Sequence, residues 1–427
     1  MFNLWGNVTF ITFLIHDIHH FYFMNTGDIE LGLKQNWKQF VLLIVVNAFV
    51  GGMIGLERSV FPHFAHQEFG ISSKTALLSF ITAFGFTKAA ANYFSGKLSN
   101  RFGRKNLLIL GWIFAIPVPL IFIYAESWNL ILLANVLLGI SQGFAWSSTV
   151  MMKIDLVGEK ERGLAMGINE FAGYLAVGVV SFLTGYIASH YGITPYTFYL
   201  GIGISWTGLL ITIIWIKDTS SFVRKESIGK KRSQIKNIFI DTSFTNKTLS
   251  AVTQAGLVNN LNDGMIWGLL PIYLFSLAFD HQRIGLITAI YPIVWGIGQL
   301  FTGKMSDVYN KKKMIFWGML LQGVAILFIP LGKYFLSISF LSVLLGLGTA
   351  LVYPTFLTTI ALISDPIQRA ERIGVFRLWR DSGYAIGAIL SGVIADFFSL
   401  EVAIYSIGML TIISSIVVKI RMPSNIK

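Results

Sequence analysis

The sequence predicts an all-α membrane protein whose twelve transmembrane helices form two pseudo-symmetric six-helix bundles. Three observations carry that expectation: an apolar composition, the clustering of basic residues in a few loops, and an internal repeat. Of 427 residues, 54% are hydrophobic and only 13% are charged, with a mean hydropathy of +0.66. A soluble domain carries about 25% Asp, Glu, Lys and Arg, so this chain cannot coat a water-facing surface. A bilayer span takes roughly 20 apolar residues. Suitable stretches fall at 39–62, 73–95, 105–125, 129–152, 163–189, 196–216, 250–278, 284–303, 314–335, 338–363, 372–398 and 401–418. Helices are expected there because they satisfy their own backbone hydrogen bonds in lipid.

The basic residues set the topology. Lys97, Arg101, Arg104 and Lys105 follow the second span, and Lys304, Lys311, Lys312 and Lys313 follow the eighth. Lys217, Arg224, Lys225, Lys230, Lys231, Arg232, Lys236 and Lys247 crowd the stretch between spans six and seven. The turns around Ser127-Trp128 and Gly192-Ile193 carry no Lys or Arg, and those near Arg283 and Lys333 carry one each. Positive residues stay on the cytoplasmic side. Both termini and the 217–249 loop are therefore expected in the cytoplasm of a multi-pass inner or plasma membrane protein. The net charge of +12 is then a topology signal, and no nucleic-acid partner is expected.

The two halves look related. Gly96-Lys97-Leu98-Ser99-Asn100 recurs as Gly303-Lys304-Met305-Ser306-Asp307, and Leu138-Gly139 and Gly111 recur as Leu345-Gly346 and Gly318. Further on, Asp155, Arg162 and Gly173-Tyr174 match Asp365, Arg372 and Gly383-Tyr384. Six spans per half give parallel repeats about an axis along the membrane normal. The expected organisation is a cytoplasmic or interfacial segment 1–38, a six-helix bundle 39–216, a central loop 217–249, a second bundle 250–420 and a tail 421–427. Within the leader, His16, His19 and His20 share a helical face, but no fourth ligand accompanies them. An interfacial helix is the expected form there, and no metal site is assigned. With no cysteine in the chain, disulfides, thiolate nucleophiles and cysteine metal sites are excluded.

The run Gly96-Lys97-Leu98-Ser99-Asn100-Arg101-Phe102-Gly103-Arg104-Lys105 resembles the loop 2–3 signature of the major facilitator superfamily, Gly-x-Leu-x-Asp-Arg-x-Gly-Arg-Arg/Lys. Its degenerate copy, Gly303 to Lys313, stands where that family places the second copy. The resemblance covers residues 39–420 and implies that Gly96, Asn100, Arg101, Gly103, Arg104, Lys105, Gly303, Asp307, Asp155 and Arg162 form a cytoplasmic gating motif. Asn100 replaces the usual acid, so the implied latch is retained but weaker, accepting a hydrogen bond from a helix N-terminus without the charge term. The pattern is closest to the drug/proton antiporter-like permeases. It lacks their Gly-Pro pair in span five, where Gly173-Tyr174-Leu175 stands.

Ionisable groups at membrane depth are expensive and mark function. Spans three, six, nine and twelve have none in their cores, as suits outer, lipid-facing helices. Span seven holds Asn259, Asn262 and Asp263 on one helical face, and Asp263 lies roughly 20 Å deep by helix rise. Those three are expected to line a cavity. In span eleven Arg377, Asp381 and Tyr384 form a stripe with Arg380 at its edge. Arg377 and Asp381 can simply pair within the helix, or the second arginine can hold an anionic group. Span five offers Asn169 and Glu170, the latter at a position repeat-related to Arg380, so that the two either pair across the halves as a gate or face one cavity separately. Lys88 is expected to snorkel to the interface, and Glu57 and Arg58 to form a rim bridge. Trp146, Trp267, Trp295 and Trp379 lie inside spans, where one or two can stack on a planar solute.

These features point to secondary transport of a small organic solute by alternating access, coupled to protons. No phosphate-binding loop, catalytic set or cofactor motif is present, so neither enzyme activity nor a cofactor is expected. Partners are the solute, protons and membrane lipids, and the expected state is a monomer. Efflux of amphipathic compounds and uptake of an organic anion through Arg377 and Arg380 both remain open, as does a non-transporting sensor. A proton carrier must exist both protonated and ionised. Asp381 sits beside two arginines that hold it ionised, whereas Asp263 has only neutral amides beside it in its own helix. Asp263 is therefore the expected carrier, ahead of Glu170 and Asp381.

Overall fold

The computed structural model describes residues 29–58, 61, 69–70, 78–158, 161–228, 235, 237–279 and 281–424. The leader histidines and Lys230, Lys231, Arg232 and Lys236 lie outside the described residues. Among those described, every predicted span is met by a helix: α1 (Trp37–Arg58), α2 (Ser79–Phe102), α3 (Arg104–Ile123), α4 (Trp128–Val157), α5 (Arg162–Tyr191) and α6 (Tyr196–Trp215). After a short loop helix, Ser220–Ser227, come α7 (Lys247–Ser276), α8 (His281–Val308), α9 (Lys311–Phe328), α10 (Phe335–Ile363), α11 (Pro366–Phe397) and α12 (Leu400–Arg421). The described secondary structure is wholly helical.

Local chemistry sets the ends and breaks. Pro117 interrupts α3 at Ile116, since a proline supplies no backbone N–H. Asn246 accepts from the N–H groups of Thr248 and Leu249 at the start of α7, Asn310 from Lys313 N–H at α9, and Asp365 from Ile367 N–H at α11, just before Pro366. These side chains satisfy donors that a helix start leaves open. Gly103 ends α2 and opens α3 with φ +79°, and a Cβ there would lie 2.8 Å from Asp218 Oδ2. Glycine alone adopts that backbone without cost.

Nine of the described helices are long and apolar enough to cross a membrane. By that measure α2, α7 and α11 fall short, although they have 24, 30 and 32 residues. The reason is physical: these three carry Lys88, Asp263, and Arg377, Arg380 and Asp381, all buried against other helices. Packing between the halves runs chiefly through α2 on α11 and α5 on α8, while α3, α6, α9 and α12 pack mainly within their own halves.

Candidate substrate and coupling site

At the end of the bundle that carries the basic loops, backbones of opposite halves touch. A Cβ at Gly163 would lie 2.2 Å from the Gly303 carbonyl oxygen, and one at Gly96 would lie 2.5 Å from that of Ala370. The Asp307 carboxylate accepts from Gly163 N–H at 2.7 Å and Leu164 N–H at 3.2 Å, capping α5 from the other half. Asn100 corrects the expectation made for it: its amide donates to the Ile367 carbonyl at 2.8 Å, because its Nδ2 rather than its oxygen faces the first turn of α11. Arg101 lies exposed against Phe102, and Lys105 donates to the Ile213 carbonyl. Gly163→Ala is expected to disfavour this closed end. Reagent access to a cysteine placed at Ser306 or Ala370, both buried at this end, should rise, and unchanged access would contradict the close-packing argument.

Behind these contacts runs a buried chain of charges. Arg104 reaches Asp155 at 3.1 Å, Asp155 reaches Arg369 at 3.2 Å, Arg369 reaches Glu226 at 2.8 Å, and Glu226 reaches Arg162 at 2.5 Å. Thr219 also donates to Asp155 at 2.9 Å. Glu226 sits on the loop helix and thus ties Arg162 of the first half to Arg369 of the second. Burial pushes the Glu226 carboxyl up, but hydrogen bonds and charge from Arg369 and Arg162 outweigh it and bring the pKa to about 2. Sequence reading named Asp155, Arg162 and Arg104 but missed Arg369 and Glu226. Nothing in a polar loop marks one of its carboxylates as the one that turns inward.

Nearer the middle, polar and aromatic side chains from both halves meet. Asp381 on α11 holds Arg380 at 2.8 Å and receives Asn260 at 3.0 Å, both at Oδ1, while Asn92 of α2 donates to Oδ2. Ser147 on α4 donates to Asn92 and accepts from Arg377 at 3.2 Å. Arg377 also donates to the Tyr353 hydroxyl at 3.2 Å, and the Arg380 guanidinium lies 4.2 Å from that ring's centroid. Of the alternatives left open, the Arg377–Asp381 pair is not formed: Arg380 holds Asp381, and Arg377 turns toward α4 and α10. Glu170 and Arg380 do not pair as a gate among the described residues either. Glu170 Oε1 receives Trp146 Nε1 at 3.0 Å and Asn169 Nδ2 at 2.6 Å, and Asn169 in turn receives Lys153 at 2.6 Å.

Lys88 does not snorkel. It is 6% exposed, and its ammonium lies 5.4–5.8 Å from the rings of Phe84, Trp146 and Tyr384. The α2–α11 packing encloses it before it can reach an interface. Asp263 on α7 is buried, with Oδ1 accepting from the Tyr291 hydroxyl and Oδ2 without a hydrogen-bond partner. Arg380 and Lys88 act on it electrostatically from α11 and α2, though neither forms an ion pair with it among the described residues. Asn262 is a correction: it donates to Gln322 at 3.1 Å and accepts from Thr411 at 2.6 Å, which turns it toward α9 and α12. Asn259 is buried with both amide atoms unpartnered.

The aromatic residues divide. Trp295 packs on Tyr174 across the halves with centroids 3.8 Å apart and stacks on Tyr291 at 5.8 Å, and Trp267 edges Tyr291 at 6.2 Å. Trp379 instead donates to Ser243 at 2.9 Å, outside this group. Glu57, next to the end of α1, is buried. Sequence reading missed Asn92, Ser147, Asn260, Tyr291 and Tyr353. Polar residues in otherwise apolar spans were the available signal.

The family model described as Major Facilitator Superfamily matches residues 40–256 and 252–426. The chain is 23% identical to a multidrug resistance protein, MdtG, of Proteus mirabilis, over 87% of this chain and 93% of that protein. It is 26% identical to a proton-coupled antiporter flippase, LtaA, of Staphylococcus haemolyticus, over 86% of this chain and 89% of that protein. Among solved structures, the human organic anion transporter MFSD10 (TETRAN) superposes with a TM-score of 0.71 at 15% identity, over 89% of this chain and 99% of that one.

Proposed function

This chain belongs to the Major Facilitator Superfamily of membrane transporters, and on that premise we propose a monomeric, proton-coupled carrier of a small amphipathic organic solute. It works by alternating access in an inner or plasma membrane, with the basic end and both termini in the cytoplasm. The two halves rock about the network around Asp263, Arg377, Arg380 and Asp381, and the closed basic end is one extreme of the cycle. One observation carries the reading. Asp263 is a fully buried carboxylate with one oxygen unpartnered, next to the seam where α2 meets α11. A group so placed changes its charge when a proton arrives, and a charge change in a low-dielectric interior biases the packing around it. The multidrug and proton-coupled relatives support both the solute class and the coupling.

The test is transport by the purified protein in proteoliposomes. An imposed pH gradient is expected to drive a fluorescent amphipathic solute uphill, and a protonophore is expected to abolish the accumulation. Accumulation that ignores the protonophore would remove proton coupling from the proposal.

A further inference from the structure

We infer that the interior holds an anion subsite built on Arg377, Arg380 and Lys88, and that the transported solute is an organic anion carried together with a proton. This rests on the transport reading above and extends it to the charge of the solute and the sign of coupling.

Buried cations in membrane proteins are paired or functional. Among the described residues Arg377 has no carboxylate partner, only the hydroxyls of Ser147 and Tyr353, and its Nε is buried without a hydrogen-bond partner. Arg380 gives one N–H group to Asp381 and keeps Nε and Nη2 buried and unpartnered. Lys88 has ring faces around it, with no carboxylate in ion-pair contact among the described residues. Three cations thus present unspent donors in one region. Guanidinium groups suit carboxylate or phosphate oxygens, which accept two parallel N–H bonds. The neighbouring rings of Trp146, Tyr174, Trp295 and Tyr353 suit the planar or apolar body of such a solute.

Electrostatics gives the coupling sign. Four buried cations (Lys88, Lys153, Arg377 and Arg380) stand with four buried carboxylates (Glu57, Glu170, Asp263 and Asp381) inside the spans, so a charge bound or lost at any one of them is felt by the rest. Asp263 is surrounded by Tyr291 of α8, Tyr174 of α5, Arg380 and Tyr384 of α11 and Lys88 of α2. Its charge and that of a bound anion draw on the same two cations, Arg380 and Lys88. Protonating Asp263 releases those cations, so proton and anion favour each other's binding. By linkage the effect is reciprocal. A cationic solute would compete with the proton instead, which is the relation that exchange requires. An anion therefore travels with its proton.

The experiment uses three probes on one ring system, 2-naphthoate, its near-isostere 2-naphthamide and a naphthyl-trimethylammonium, binding to the wild-type protein at about pH 5.5 and about pH 8, where an aromatic carboxylate stays ionised. The naphthoate is expected to bind most tightly, and about tenfold more tightly at the lower pH, within the usual range of coupling between sites. Asp263→Asn should make that affinity independent of pH. Arg377→Gln should weaken the naphthoate alone. Preference for the ammonium, equal affinity for all three, no naphthoate binding, or a naphthoate affinity that falls at low pH would each overturn the proposal. The ammonium driven uphill by a pH gradient would leave proton-coupled transport standing while the anion subsite fell. No probe driven by any gradient would bring down the transport reading itself.

Discussion

Asp263→Asn is expected to abolish uphill accumulation driven by a pH gradient while leaving solute exchange at equal concentrations largely intact. The loss should reach at least about tenfold, since coupling energies between sites commonly correspond to 5–150-fold. Asn keeps the size of the side chain and can still accept from the Tyr291 hydroxyl, so packing is retained and only the titrating charge is lost. The comparison with the other two interior carboxylates is geometric. Both Asp381 oxygens are occupied, by Arg380, Asn260 and Asn92. Asp263 Oδ2 and Glu170 Oε2 are the carboxylate oxygens left open, and an open oxygen is where a proton is received. Glu170 Oε1 is held by Trp146 and Asn169, and Asn169 is held in turn by Lys153. Full retention of pH-driven accumulation in Asp263→Asn would move the assignment to Glu170.

Breaking the buried charge chain should have an effect of similar size on conformation. Arg369 binds both Asp155 and Glu226, so Arg369→Gln leaves Asp155 to Arg104 and Glu226 to Arg162 and removes the link from α11 to both carboxylates. Losing hydrogen bonds to a charged partner costs about 1.5–3 kcal/mol, which shifts an equilibrium between open and closed basic ends by roughly tenfold to hundredfold. The chain has no cysteine, so a pair of probes on Phe102→Cys and Ile367→Cys reports the separation of α2 and α11 without background labelling. The distance distribution is expected to move from short to long. A distribution that stays short would show that the glycine contacts alone hold this end.

The same chain predicts what pH will not do. Glu226 titrates at about 2 when folded, below its ordinary value of 4.5. A depressed carboxylate stabilises the folded arrangement above its ordinary value and loses that contribution only as pH falls through the depressed one. Across pH 5 to 8 Glu226 stays ionised, so its own links to Arg369 and Arg162 are constant there. A pH dependence of transport in that window is then not Glu226's, and Asp263 is the group proposed for it.

Much of the architecture was legible in the sequence because lipid imposes a coarse rule: apolar runs of sufficient length become helices, and basic loops stay on one side. Span positions, the repeat and the Gly96–Lys105 motif all follow from composition and order along the chain. The identity of the charged interior positions was legible too, since Asp263, Arg377, Arg380 and Asp381 stand out against apolar neighbours. Their partners were not. Successive residues on a helix are rotated by about 100°, so Asn260 and Asn262 face nearly opposite ways. One meets Asp381, and the other meets Gln322 and Thr411. Which face of α7 turns inward depends on how α8, α9, α11 and α12 pack against it, and no local pattern within α7 encodes that. Likewise Lys88 reads as a snorkelling lysine until α11 is seen to cover it, and Glu226 as an ordinary loop acid until two arginines 64 and 143 residues away close on it. Sequence determined that charges lie inside the membrane; tertiary packing decided which are neutralised by a neighbour and which keep donors free for a solute, because pairing at a few ångströms is set by helix rotation and contact, not by spacing along the chain.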